Sequence, residues 1–377
     1  MSGVYIVSDN IISPLGLTTA ENFAQLKKGV SGIRQYHDSA FADQPFYASL
    51  LNYKSSFIPE VDHIYTRFEN LLLLSIKDAL QNSKVDPRDK KTLLIISSTK
   101  GNISLIETEM NNSDLHKRIA LSTSARLVAE YFGFLNQPIV VSNACISGIM
   151  AIITGMRLIR YGQYENIVIT GADVITKFIL SGFQSFQAIS PLPCKPFDLD
   201  RDGISLGEGA ATIILSAKPT QLSGIKVMGG AVTNDANHLS APSYTGDELG
   251  QAITKTLDEA KLTASTIDFI SAHGTATVYN DEMEAKAITS AKLQDVLVNS
   301  LKGYFGHTLG AAGLIESIIS VQSLKEDIVI PTKGFEQMGV TKPLNIHTDL
   351  VTGKFKNCLK IGSGFGGCNA AVVFSKD

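Results

Sequence analysis

A chain of 377 residues, 44% hydrophobic and 18% charged, has enough apolar content to bury more than one core and too little charge for a disordered chain. A net charge of −3 with no run of lysine or arginine gives no electrostatic case for nucleic acid. Four cysteines, at 145, 194, 358 and 368, are too sparse for a disulfide scaffold, lack the paired spacing of a zinc site, and fit a reducing, cytoplasmic setting.

In chain order, residues 1–7 read as a strand rather than as a secretory leader. Helical spacing follows at 21–28 and 69–81, an apolar β-branched strand at 93–96, and a helix at 124–131. The uncharged stretch 131–156 has the length of a membrane span, but Asn136, Gln137, Pro138, Ser142 and Asn143 divide it into a strand at 139–141, a turn and a helix at 148–159. Strands at 167–169 and 212–215 complete a first set. A second set follows Pro219, with strands at 225–227, 267–270, 296–298, 358–361 and 371–374. Alternation of strand and helix predicts an α/β fold with largely parallel pairing.

The order repeats. Residues 139–159 and 296–324 each give an apolar strand, a polar turn with one reactive residue (Cys145 or His307), and a helix with little charge. Those two helices are too apolar to face water and are expected at the centre, sheet on either side. Two halves, 1–220 and 221–377, are expected to form one rigid unit, since no low-complexity linker or charge block separates them. Cys145, His273 and His307 all follow strands, at the carboxyl ends where ligands bind in open α/β sheets.

Cys145 stands before a helix, in Asn143-Ala144-Cys145-Ile146-Ser147-Gly148. The positive end of the helix dipole and its free N–H groups are expected to favour thiolate and make the sulfur nucleophilic. His273 lies in Ser271-Ala272-His273-Gly274-Thr275, and His307 in Lys302-Gly303-Tyr304-Phe305-Gly306-His307-Thr308, where glycines allow close approach. The turn Gly362-Ser363-Gly364-Phe365-Gly366-Gly367-Cys368-Asn369 is no phosphate loop, because no GxxxxGK[ST] is present and a strand follows it. It reads equally as a tight hairpin or as a turn that aims a backbone N–H at a developing oxyanion.

Together these segments resemble the β-ketoacyl-acyl carrier protein synthases of the thiolase superfamily, in the elongating Cys-His-His class. The resemblance also takes in Val7-Ser8-Asp9-Asn10-Ile11-Ile12-Ser13-Pro14-Leu15-Gly16, Lys195-Pro196-Phe197-Asp198-Leu199-Asp200-Arg201-Asp202-Gly203 and Gly207-Glu208-Gly209-Ala210, and so spans nearly the whole chain. It implies a layered α-β-α-β-α fold built by internal duplication. It implies an acyl-accepting Cys145, with His273 and His307 as neutral donors to the enolate left by decarboxylation of a malonyl thioester. The N–H groups of Cys145 and Phe365 would hold the oxyanion, Lys302 would orient His307 through Glu316, and Phe365 would gate the malonyl side. Thr275 and Thr277 would bind the pantetheine amides, with Gly364 and Gly366 beside them, while Asp281 and Glu284 would be structural.

Two departures bear on specificity. Ile146 replaces a small residue and is expected to narrow the acyl pocket, and Asn280 replaces a glycine whose left-handed conformation asparagine tolerates. No metal or resident cofactor is implied, phosphopantetheine arriving on the carrier protein. Lys195, Arg67, Lys117 and Arg118 are candidate contacts for that acidic partner. A homodimer pairing through residues 139–142 is expected, or a heterodimer with a cysteine-less chain-length factor. Competing readings are a ketosynthase of polyketide or aryl polyene assembly in place of fatty-acid synthesis, a thiolase using Cys368 as a second thiol, and a non-catalytic chain-length partner, against which Cys145 speaks.

Overall fold

The computed structural model describes residues 3–51, 64–220, 224–236 and 243–377. Ten strands carry the architecture. Five lie in the first half: β1 (Tyr5–Ile12), β2 (Thr92–Ser97), β3 (Ile139–Val141), β4 (Asn166–Asp173) and β5 (Gly209–Ser216). Five lie in the second: β6 (Ile225–Asn234), β7 (Phe269–Ser271), β8 (Leu297–Asn299), β9 (Asn357–Gly364) and β10 (Cys368–Lys376).

Their spatial order is β3-β2-β4-β5-β1 in one half and β8-β7-β9-β10-β6 in the other, the same order with every strand advanced by five. Pairing polarity repeats as well. In each half the three outer strands run parallel, and the last two pair antiparallel. A bridge between β1 and β6, Tyr5 opposite Lys226, joins the halves, and Asn345–Ile346 extends the edge beyond β8. The expectation of largely parallel pairing is corrected: half of the pairings are antiparallel. The β9–β10 link, residues 365–367, is too short for the crossover that a parallel pair needs.

Burial on both strand faces follows from the layers. Leu93 and Ile95 of β2 face inward on the central helices, whereas Leu94 and Ile96 pack against the outer helices Arg67–Gln81 and Leu121–Phe132. In the second half Leu359, Ile361 and Val373 pack against Asp247–Ala260 and Val278–Ser290, while Val372 and Phe374 face the centre. Between the sheets lie the two low-charge helices, Ser147–Arg160 and Ala312–Glu326, the second buried around nearly its whole circumference. Among the described residues no helix is long and apolar enough to cross a membrane.

The central helices touch through reciprocal glycines. A Cβ on Gly148 would lie 2.6 Å from the Leu314 nitrogen, and one on Gly313 would lie 2.7 Å from the Ile149 nitrogen. Both obstacles are backbone, so neither can rotate away. Alanine is intrinsically the better helix former by about 1 kcal/mol, yet Gly148→Ala is expected to destabilise, because overpacking costs about 1–3 kcal/mol. Gly182→Ala, in helix Lys177–Ser185 with nothing within 4 Å of the added carbon, is expected to stabilise. Paired melting curves check both signs; a Gly148→Ala protein as stable as the parent would rule out a tight crossing.

Candidate active site

Cys145 occupies a strained elbow between β3 and the first central helix. Ala144 before it has φ +43°, a left-handed conformation costly for a non-glycine residue. Ser147 holds the elbow closed: its hydroxyl donates to the Ala144 carbonyl at 2.7 Å and accepts the Asn143 N–H at 2.8 Å. His307 follows the short helix Lys302–Phe305 and Gly306 (φ +68°), with its backbone N–H donated to the Ser205 carbonyl at 2.7 Å. These supports bring His307 Nε2 to 3.1 Å from Cys145 Sγ. The His273 ring stands edge-on to His307, centroids 5.1 Å apart. Both imidazoles are buried.

Burial decides the charge states. It pushes the Cys145 thiol up to about 12, with the nearby Cys368 adding to the rise, against the opposing pull of Lys302 and of the Phe365 N–H. The expectation of a resting thiolate is therefore corrected: loss of hydration outweighs the helix dipole, so the resting sulfur is a thiol with His307 as its partner. Burial also holds both histidines well below their ordinary range, and the positive Lys302 reinforces it. Both imidazoles are neutral at pH 7.

Lys302 is placed differently from the expectation that it orients His307. Its ammonium donates to the His273 carbonyl at 3.1 Å, lies 3.5 Å from His273 Nδ1, and pairs with Glu316. An ammonium only donates, so Nδ1 of His273 is the acceptor and its proton sits on Nε2, facing the sulfur site. Nδ1 of His307 has no hydrogen-bond partner among the described residues, which leaves its tautomer free to change.

The acidic pair holds the His273 loop. Glu284 accepts the N–H groups of His273 and Gly274 at 2.7 and 2.6 Å, and Asp281 accepts those of Phe197, Thr275 and Ala276 at 2.7, 2.9 and 3.2 Å. Burial pushes Asp281 up to about 6 and Glu284 to about 7, the neighbouring Asp281 adding to the latter. Asn280 is not the left-handed residue expected: it sits in the first turn of helix Val278–Ser290 and bridges both carboxyls, while the left-handed positions are Gly274 and Ala276. That shift by a few residues makes Asn280 a further clamp.

Two cavities meet at Cys145. One, of about 350 Å³, is lined by His273, Thr275, Thr277, His307, Gly364 and Phe365. The other, of about 740 Å³ and more apolar, includes Ile106, Phe178, Ile179 and Leu309. Phe365 borders both and packs on Phe183 and Phe186, centroids 5.8 and 5.5 Å away, so this aromatic trio separates them. The Thr275 and Thr277 hydroxyls lie 2.9 Å apart. Gly364 is required by space, since a Cβ there would lie 2.9 Å from the Cys145 nitrogen and 3.0 Å from Cys368 Sγ. Gly366 lines neither cavity; its need is conformational, at φ +86°. Ile146 is fully buried in the central core, lines neither cavity, and so does not narrow the acyl side as expected.

The four cations proposed for an acidic partner divide. Arg67 and Arg118 are counter-ions of the buried carboxylates Glu208 and Glu69, a structural demand on both, with 27% of each side chain still exposed. Lys117 is exposed beside Asp114, and Lys195 is half-buried, 3.8 Å from Asp200. Sequence reasoning missed Asp173, at the end of β4, whose carboxylate accepts the Ser98 hydroxyl at 2.8 Å and the Gly310 N–H at 2.7 Å and so ties both halves at the site. It also missed Lys360, although a charge inside the apolar run Cys358-Leu359-Lys360-Ile361 was a legible signal. Among the described residues Cys145, His273 and His307 are the one such group whose ligand atoms, all within 4.8 Å of one another, are close enough to share a cation.

Residues 1–220 match the family model "Beta-ketoacyl synthase, N-terminal domain" and residues 225–336 match "Beta-ketoacyl synthase, C-terminal domain". The chain is 28% identical to 3-oxoacyl-acyl-carrier-protein synthase 2 of Vibrio cholerae, over 99% of both chains. It is 26% identical to the protein of the same name from Staphylococcus aureus, over 99% of this chain and 98% of that one. Its structure superposes on the ishigamide ketosynthase/chain length factor with a TM-score of 0.91 at 25% identity, covering 100% of this chain and 99% of the other.

A thiol held near 12 gives a chemical signature. Alkylation of Cys145 by iodoacetamide, read by peptide mass, is expected to rise about tenfold per pH unit from pH 7 to 10. A plateau near pH 7 would mean that the sulfur rests as thiolate.

Proposed function

The chain belongs to the β-ketoacyl synthase family, and from that premise we propose that Cys145, His273 and His307 carry out acyl loading followed by decarboxylative condensation on carrier-bound thioesters. The observation that carries this reading is one half-buried cysteine whose sulfur lies 3.1 Å from His307, with a second neutral imidazole beside it, where two cavities meet.

In the first half-reaction, Cys145 Sγ attacks the acyl thioester carbonyl while its proton passes to His307 Nε2 and then to the departing pantetheine sulfur. The thiol resting state suits this: proton and electron pair move together, and no free thiolate accumulates. The acyl chain takes the larger apolar cavity, and the pantetheine arm takes the smaller, beside Thr275 and Thr277. The N–H groups of Cys145 and Phe365 hold the oxyanion; one such donor is worth about 2.7–4 kcal/mol in acyl transfer.

In the second half-reaction a malonyl thioester enters. Its carbon–carboxylate bond breaks, carbon dioxide leaves, and the electron pair becomes an enolate whose oxygen accepts the Nε2–H groups of both histidines. The α-carbon attacks the acyl-cysteine carbonyl, and collapse of the adduct expels the Cys145 thiolate, which takes up one proton. Neutral imidazoles suit this step, since each offers a proton without surrendering it.

The substrate is an acyl chain on an acidic carrier protein that approaches Lys195, in a reducing cytoplasm. No metal or resident cofactor takes part; phosphopantetheine comes with the carrier. The edge strand β3 pairs two copies, or pairs this chain with a chain-length factor. The structural likeness to a ketosynthase/chain length factor favours work beside a chain-length partner, with polyketide or polyene assembly as the second reading beside fatty-acid elongation. Intact-mass analysis of carrier-bound products from malonyl carrier protein and varied primers distinguishes the two: a saturated-primer series marks the first, preference for aryl or polyunsaturated primers the second.

Cys145→Ala is expected to abolish the acyl-enzyme adduct. His273→Ala should keep loading and lower carbon dioxide release by at least about 100-fold. Both histidines titrate well below 6.5, so the acid limb of condensation should lie below pH 6.5. An acid limb above pH 7, or full decarboxylation by His273→Ala, would remove the neutral-imidazole mechanism.

A further inference from the structure

Lys360 is a fully buried cation in the middle of β9, opposite Ser271 of β7 in parallel register. An ammonium carried out of water costs several kcal/mol before compensation, so a strand interior is a costly place for it. Its compensation is specific. Nζ pairs with Glu316 Oε2 at 2.7 Å and donates to the carbonyls of Ser271 at 3.2 Å and Ala272 at 2.9 Å. Lys302 takes the other oxygen of Glu316 and the carbonyl of His273. Two ammonium groups bridged by one carboxylate therefore hold three consecutive carbonyls, 271, 272 and 273.

We propose that Lys360 is a positioning residue for decarboxylation: with Glu316 as bridge it completes a two-lysine clamp that fixes His273 and sets positive charge behind it. This rests on the reading of His273 as a donor to the enolate. Glu316 needs one cation for neutrality, and Lys302 supplies it; the second lysine adds positive charge to the cluster, which burial opposes and the Glu316 and Glu284 carboxyls support. That charge stands behind the imidazole on which negative charge leans as carbon dioxide departs, and Coulomb attraction at low dielectric makes it effective there.

The titratable groups around His273 come from every neighbouring element: Lys302, Glu316 on the central helix, Lys360 on β9, Asp281 and Glu284 on the helix below the loop, and His307 and Cys145 across the site. Of these, Lys302, Lys360 and His307 oppose protonation of His273. Removing the Lys360 charge therefore raises the pH at which His273 becomes protonated, and the neutral form that the reaction needs is lost at a higher pH.

The test compares Lys360→Met, Lys360→Gln and Lys360→Arg with the parent, after melting curves identify which variants fold. Acyl loading is read by intact mass, and carbon dioxide release from malonyl carrier protein is followed from pH 5 to 9. The uncharged variants are expected to load Cys145 like the parent. Their decarboxylation should fall by at least about tenfold at pH 7, with the acid limb moved up by roughly one pH unit, the size of shift a nearby buried charge produces. Lys360→Arg should restore the acid limb. An unmoved acid limb, or equal losses in loading and decarboxylation, would reduce Lys360 to a packing residue and overturn the proposal. If neither uncharged variant folds, Lys360→Ser, which removes the charge with a smaller polar side chain, is measured in their place: the same upward shift of the acid limb supports the proposal, and an unmoved acid limb overturns it. Failure of the underlying reading shows separately, as decarboxylation that survives His273→Ala.

Discussion

Contact between Gly148 and Gly313 is the constraint on which the site depends. Each half of the duplicated sheet contributes one helix of low charge, and neither helix could be left facing water. Burying both against each other, at a separation that leaves no room for a Cβ, brings their N-terminal approaches together. Cys145 stands two residues before one helix, and His307 stands five before the other. Bulkier residues at the crossing would part the helices, and the 3.1 Å approach of imidazole to sulfur would go with them. Packing and chemistry thus share one determinant.

A second device positions what the helices do not: carboxyls taken out of water and surrounded by backbone N–H groups. Asp173 gathers the turn after β2 and the start of the second central helix, while Asp281 and Glu284 gather the His273 loop. Burial works against the charged forms, pushing Asp173 and Asp281 to about 6 and Glu284 to about 7, and the N–H groups that surround each carboxyl oppose that rise. The same desolvation that burdens the carboxyls keeps the cysteine protonated and the histidines neutral. Loss of hydration is the largest influence on each of these groups.

Much of this was legible in the sequence because it rests on local pattern. The apolar β-branched runs marked β2, β3, β4 and β5, and the low-charge segments marked the two central helices. The reactive residues were legible because small residues and glycine flank them at strand ends. What was not legible depends on three-dimensional partners. The antiparallel half of the pairings is set by which edge each returning strand finds. Arg67 and Arg118 looked like free cations until buried Glu208 and Glu69 claimed them. Ile146 looked like a pocket residue because it follows Cys145, but at the start of a helix the next side chain turns through about 100° and enters the core. The resting thiol ran against a correct local argument: the dipole is present, and desolvation is larger.

Meeting of two cavities at one sulfur bears on the order of events. An acyl chain bonded to Cys145 must lie in one of them, and the larger, with Ile106, Phe178, Ile179 and Leu309 in its wall, is the one an alkyl or polyene chain would choose. The smaller then stays open to a second thioester, on the side where both imidazoles and the paired threonine hydroxyls lie. Phe365 stands between, partly exposed and held by ring contacts with Phe183 and Phe186 rather than by hydrogen bonds of its side chain. Its position in the turn beside Gly366 and Gly367, both at positive φ, lets the backbone bearing the ring adopt shapes closed to other residues. On the proposed mechanism, the acyl chain and the extender unit lie on either side of that ring, so loading of the sulfur and access for the extender unit share one aromatic side chain.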